Sequence, residues 1–216
     1  MHYDLTHLTH DVEYQNDLTK LGPIQDDEAL FLYALIIGMR IKSVFEIGGL
    51  HGYSTTNFLK AVGEDGIVFT CDWINIKKIN QNHITIRKNA LNVTPEDVNN
   101  HPIELIFFDC HSYDIQMGVL DRFIKNGLIT EESVIALHDT NTHPQKNTGK
   151  AYLTSQGYVF QPDERKMANT LVERGYHAFS LHSKNTKHPG IDGQLFRHGL
   201  TILTRFKKFD PEENNE

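Results

Sequence analysis

Long apolar runs are missing from this chain. No stretch of its 216 residues approaches the roughly 20 that a bilayer-spanning helix needs, and residues 1–15 are polar and histidine-containing, unlike a signal peptide. Cysteine is scarce: Cys71 and Cys110 each sit among apolar residues at an expected strand end, so they read as buried thiols rather than a disulfide. These absences imply a cytoplasmic protein with no membrane association. Positive charge is also in deficit, with 21 Lys and Arg against 28 Asp and Glu and a net charge of −7. Nonspecific nucleic-acid binding neutralises phosphates with Lys and Arg, so that balance argues against such a partner. The longest basic cluster, Arg205-Phe206-Lys207-Lys208, closes an expected strand. No G-x-S-x-G elbow occurs, which leaves Ser112 and Cys110 without support as hydrolase nucleophiles.

What is present suffices for one domain with a full core. Residues 1–24 read as an irregular extension broken at Gly22-Pro23. Asp26-Asp27-Glu28 then opens a helix to about residue 40, since acids in a first turn complement the helix dipole. Apolar runs predict strands over residues 43–47, 66–71, 83–87, 103–108 and 133–137. Helical patterns follow the first and fourth, the latter stopping at Asn126-Gly127. A further helix with proline at its first position is expected from Thr94. Residues 140–161 lose all periodicity and read as a functional loop. A helix over 162–174 and strands over 176–181 and 195–206 follow, and the acidic tail 209–216 is expected to be disordered. Buried strands alternating with helices give an α/β fold, a doubly wound parallel sheet over residues 25–208.

The most informative segment is Val44-Phe45-Glu46-Ile47-Gly48-Gly49-Leu50-His51-Gly52-Tyr53-Ser54. Strand, glycine turn and helix N-terminus in series let a ligand approach the backbone, and free N–H groups of the first helical turn favour a polar or anionic one. A phosphate loop would need Lys and Ser or Thr after the last glycine, and Tyr53 follows instead. The dinucleotide fingerprint would need glycines where Leu50 and Tyr53 stand. What remains is E-x-G-x-x-x-G-Y-S. Glu46 would repel a phosphate and suits a ligand carrying a cation or hydroxyls. The pattern resembles class I S-adenosylmethionine-dependent methyltransferases, specifically small-molecule O-methyltransferases related to the catechol and caffeoyl-CoA enzymes. The resemblance implies a Rossmann-like, mostly parallel seven-stranded sheet with an antiparallel last strand. It also implies that Glu46, Gly48, Gly49, Gly52, Tyr53 and Ser54 hold the methionine end of the cofactor.

Four expected strands end in acids, Glu46, Asp72, Asp109 and Asp139, and ligands of open α/β sheets bind outside those carboxyl ends. Asp72, 24 residues beyond Gly48, can accept both ribose hydroxyls, with Trp73 packing against adenine. The resemblance adds Asn89-Ala90 beside the adenine. Asp109-Cys110-His111-Ser112-Tyr113 and His138-Asp139-Thr140 resemble the segments that, in metal-dependent members, bind a magnesium-type cation. Hard cations prefer carboxylate oxygens, and such an ion lowers the pKa of an acceptor hydroxyl. Asp109 and Asp139 are the expected ligands of Mg2+ or another divalent cation. Thr140 stands where the catechol-type pattern has asparagine, and His138 where related natural-product enzymes have an acid. A third ligand must then come from His138, Asn141 or His111, with His138 placed in the expected set. Without metal, a histidine (His111, His138 or the loop residue His143) would be the general base. His182, His188 and His198 read as surface or loop residues.

The implied reaction is methyl transfer from S-adenosylmethionine to a hydroxyl of a small molecule, a sugar or other metabolite, by a protein that could form homo-oligomers. The alternatives are a nicotinamide- or nucleotide-binding oxidoreductase and a non-catalytic cofactor-binding partner subunit.

Overall fold

The computed structural model describes residues 11–13, 24, 26–140, 153–154, 157–158, 162–181 and 199–205. Most of the expected N-terminal extension, most of the loop after Thr140 with Asn141 and His143, the tail, and His182, His188 and His198 lie outside them. Five strands run parallel: β1 (Ser43–Ile47), β2 (Ile67–Asp72), β3 (His83–Arg87), β4 (Leu105–Phe108) and β5 (Val134–Leu137). Two-residue strands β6 (Leu153–Thr154) and β7 (Gly157–Tyr158) pair only with each other. β8 (His177–Leu181) and β9 (Leu200–Thr204) complete the main sheet, in the order β3-β2-β1-β4-β5-β9-β8. β9 is antiparallel to both of its neighbours.

Alternation along each strand sorts the core into two layers, because successive side chains leave a strand on opposite faces. Val44, Val68, Leu105, Phe107 and Ala136 pack under α1 (Asp26–Met39) and α2 (Tyr53–Val62), meeting Leu32, Ile36, Phe58 and Val62. Phe45, Phe69, Ile106, Phe108 and Ile135 face the other way, onto Met117, Leu120 and Phe123 of α3 (Tyr113–Lys125) and Met167 and Leu171 of α4 (Pro162–Glu173). Phe45 stacks on Phe123 at 5.3 Å between centroids and Phe58 meets Phe107 edge-on at 5.2 Å. Every side chain of β1 is buried, which explains why its sequence is continuous rather than alternating.

The helix expected from Thr94 does not extend. Residues Pro95–Val98 make one 3-10 turn with a Thr94/Asp97 capping box, and Asn99 and Asn100 then take φ of 55° and 52°, which ends any right-handed helix. The strand order reverses between β1 and β4, so the crevice at their carboxyl ends is where such a sheet opens for a ligand.

Candidate active site

The turn after β1 is built on glycines. Gly48 has φ of 100°, and a Cβ there would collide with the carbonyl of Asp109 at the end of β4. Gly49 would strike the Thr70 methyl. Gly52 caps α2 in the left-handed conformation with φ of 81° and its N–H bonded to the Gly49 carbonyl at 2.7 Å. The close approach of β1 and β4 brings Asp109 against this turn. Beside it opens a cavity of about 550 Å³ lined by the turn (Gly48, Leu50), by Asp72 and Trp73, by Asn89 and Ala90, and by Asp109 and His111.

Asp72 is nearly buried and closes the turn, its two oxygens accepting the N–H groups of Leu50 at 3.0 Å and Ile74 at 3.2 Å. Trp73 is 79% exposed at the cavity rim. Asn89 accepts the N–H of Leu91 and so shapes the 3-10 turn beneath the pocket. The expectation that Glu46 offers its carboxylate to a ligand is corrected by its burial. Glu46 is 0% exposed, and its oxygens accept the hydroxyls of Ser54, Thr55 and Thr70. Burial pushes its carboxyl up to about 7, against the pull of those hydroxyls. Glu46 and Ser54 thus brace strand against helix, beneath the turn rather than in the cavity. Tyr53 is turned toward α1, donating its hydroxyl to Asp26 at 2.8 Å.

At the other end of the crevice the strand-end acids meet two histidines. His138 is buried, with Nδ1 3.1 Å from Asp109 and Nε2 3.1 Å from Glu28 of α1; Asp139 lies 3.6 Å away. Both ring nitrogens face carboxylate oxygens, an arrangement that favours the doubly protonated ring. Burial opposes that charge most strongly, yet Asp139, Asp109 and Glu28 together hold its pKa well above the usual value. Both nitrogens of His138, expected among the metal ligands and bases, are engaged by Asp109 and Glu28. Glu28 also accepts the N–H of Gly199 at 2.7 Å, tying α1 to the start of β9.

His111 stands beside the same two strand-end acids. Ligand atoms of Asp109, His111 and Asp139 all lie within 4.8 Å of one another. Asp139 is fully buried with φ of 58°, a left-handed conformation that Asp tolerates better than most residues. His111 Nδ1 is 2.9 Å from the carboxylate of Glu164, in the first turn of α4. Burial disfavours the charged ring, but the Glu164 hydrogen bond and the nearby Asp139 and Asp109 raise its pKa above the usual value. Glu28 and Glu164 were invisible as site residues in the sequence, because a first-turn acid is the ordinary complement of a helix dipole.

The crevice brings together a glycine turn and an acid at one end and converging carboxylates and an imidazole at the other. Residues 3–136 match the family described as O-methyltransferase (Methyltransf_3). No curated protein sequence matches the chain. Among solved structures, the O-methyltransferase TomG from Streptomyces achromogenes, involved in tomaymycin synthesis and in complex with SAM, superposes with a TM-score of 0.60 at 16% identity, covering 90% of this chain and 91% of that one. The SAH-bound methyltransferase PaMTH1 from Podospora anserina gives 0.60 at 14% identity, covering 86% and 81%. An O-methyltransferase from Bacillus cereus in complex with SAH gives 0.57 at 14% identity, covering 86% and 84%. At such identities the likeness shows the fold, the Rossmann-like sheet of methyltransferases. The family match covers more than half of the sequence: the chain belongs to the O-methyltransferase family.

Proposed function

We propose that the protein transfers a methyl group from S-adenosylmethionine to a hydroxyl of a small molecule. The observation that carries this reading is the single cavity running from the glycine turn and Asp72 to Asp109 and His111. Gly48, Gly49 and Gly52 leave backbone open to the methionine end, with α2 presenting its N-terminal N–H groups. Asp72 takes the ribose hydroxyls, with Trp73 and Asn89-Ala90 beside the adenine. The oxidoreductase alternative has neither the glycine spacing nor the family match in its favour.

Asp109, His111 and Asp139 are the donors for a divalent cation. Two carboxylates and one imidazole fit Mg2+ or Mn2+, the histidine shifting preference toward the transition ion. When bound, such a cation lowers the pKa of the acceptor hydroxyl and fixes its orientation. The chain's own contributions are to hold acceptor and cofactor in line, an effect worth on the order of 7–11 kcal/mol, and to compensate charge. The imidazolium of His138 offsets part of the negative charge of Asp109, Asp139 and Glu28. A second reading rests on the 2.9 Å pair of His111 and Glu164, the arrangement of a histidine general base held by a carboxylate. Chelation separates the two.

Trp73 is the chain's one tryptophan and stands at the cavity rim, so its fluorescence reports occupancy. Titration with S-adenosylhomocysteine should quench or shift that emission and NAD should not; absence of any S-adenosylhomocysteine binding by calorimetry would sink the proposal. Loss of methyl transfer to a hydroxyl acceptor with chelator, and in an Asp109→Asn/Asp139→Asn variant, is expected of the cation reading.

A further inference from the structure

The first turn of α4 reaches into both strand-end loops. Asp163 accepts the N–H of Tyr113 at 3.0 Å and so caps α3, directly after the β4 loop. Glu164 reaches His111 in that loop at 2.9 Å. Arg165 donates to the carbonyl of Thr140, the residue after Asp139, at 2.6 Å. The Tyr113 ring carries Lys166 over its face at 3.8 Å, and its hydroxyl pairs with Thr170 at 3.1 Å, which locks the two helices together. Three consecutive residues of one helix thus hold the two loops that carry the reaction-site donors.

Within that clamp Glu164 differs from its neighbours by contacting a donor side chain. It is 1% exposed, one oxygen faces His111 Nδ1, and the other finds no hydrogen-bond partner among the described residues. Burial raises the Glu164 carboxyl above the usual carboxylate range, and the hydrogen bond to His111 is the largest influence pulling it back toward the anionic form, which can only accept.

We propose that Glu164 is a positioning residue: it holds the His111 ring in the Nδ1–H tautomer, leaving the lone pair on Nε2 as the nitrogen offered to the Asp109–Asp139 site. This rests on the proposed role of His111 and holds whether Nε2 meets a cation or an acceptor proton. Carboxylates behind ligand histidines act in this way, and their loss typically weakens metal binding 10–100-fold.

Long-range proton–nitrogen NMR on histidine-labelled protein, at a pH where the ring is neutral, reads the tautomer directly, with the His111→Gln variant assigning the signal. The wild type should show His111 as Nδ1–H. Glu164→Ala should move it toward Nε2–H, and Glu164→Gln, whose amide oxygen still accepts, should move it less. Calorimetric titration with Mn2+ should show binding 10–100-fold weaker in Glu164→Ala, while the affinity for S-adenosylhomocysteine stays within about twofold, a split that general misfolding would not produce. An Nε2–H tautomer in the wild type overturns the inference without any variant. So does a Glu164→Ala protein that keeps both the wild-type tautomer and its Mn2+ affinity. A wild type that binds no Mn2+ yet shows the Nδ1–H form and its loss in Glu164→Ala refutes the cation reading and sustains the positioning role.

Discussion

Replacing Glu46 by glutamine should change the pH dependence of stability in a calculable way. Glu46 is wholly buried, and its carboxyl is pushed from 4.5 up to about 7 by that burial, the hydroxyls of Ser54, Thr55 and Thr70 opposing the shift. Below the lower value the group is protonated in both folded and unfolded chains and adds no pH dependence. Between the two values the unfolded chain releases a proton that the folded chain retains, so stability falls as pH rises and levels off above about 7. Two to three pKa units at about 1.4 kcal/mol each make the loss about 3 kcal/mol. Glutamine keeps the shape, and its amide can bond the same hydroxyls, yet it does not ionise. Urea unfolding in steps from about pH 4.5 to pH 8 reads the effect, because the midpoint follows stability at constant slope. The wild type should lose about 3 kcal/mol relative to Glu46→Gln across that range, all other titrations cancelling in the difference. Parallel curves for the two proteins would refute the buried, proton-holding role assigned to this carboxyl.

Gly48→Ala should destabilise the fold by at least about 2 kcal/mol and abolish S-adenosylhomocysteine binding, because its backbone is left-handed and its Cβ meets the Asp109 carbonyl; a variant with unchanged urea midpoint would show that turn to be pliable. Asp72→Ala should weaken S-adenosylhomocysteine binding on the order of 100-fold by calorimetry, through loss of the carboxylate proposed for the ribose, and should also lower the urea midpoint, because the N–H groups of Leu50 and Ile74 lose their acceptor. Glu28→Gln should cost about 3–5 kcal/mol, as breaking a buried pair does. The raised pKa of His138 means that the pair's contribution is full below the unfolded value of about 6.5 and fades as pH rises through the folded value. The gap between wild type and Glu28→Gln in thermal unfolding should therefore be widest at acid pH and narrow on the alkaline side.

The sheet, the glycine turn and the row of strand-end acids were legible in the sequence because each is local. A continuous apolar run buries both faces of a strand, a glycine follows where the chain must turn with positive φ, and an acid at the strand end falls at the carboxyl edge of a parallel sheet. Gly48, Asp72 and Asp109 line one cavity for those reasons. The same local signals misled at Thr94, where proline and acids announce a helix that two left-handed asparagines cut to a single turn.

Partner choice was not local. His138 meets Glu28 across 110 residues and His111 meets Glu164 across 53, each glutamate from a helix whose docking on the sheet depends on the whole core. Which carboxylates each of the two histidines meets, and whether Glu46 faces a ligand or three hydroxyls, follow from those packings. A sequence determines which groups stand at the crevice by the periodicity of its strands. Only the tertiary structure decides which of them neutralise each other, since a buried charge is set by the groups that folding brings within a few ångströms.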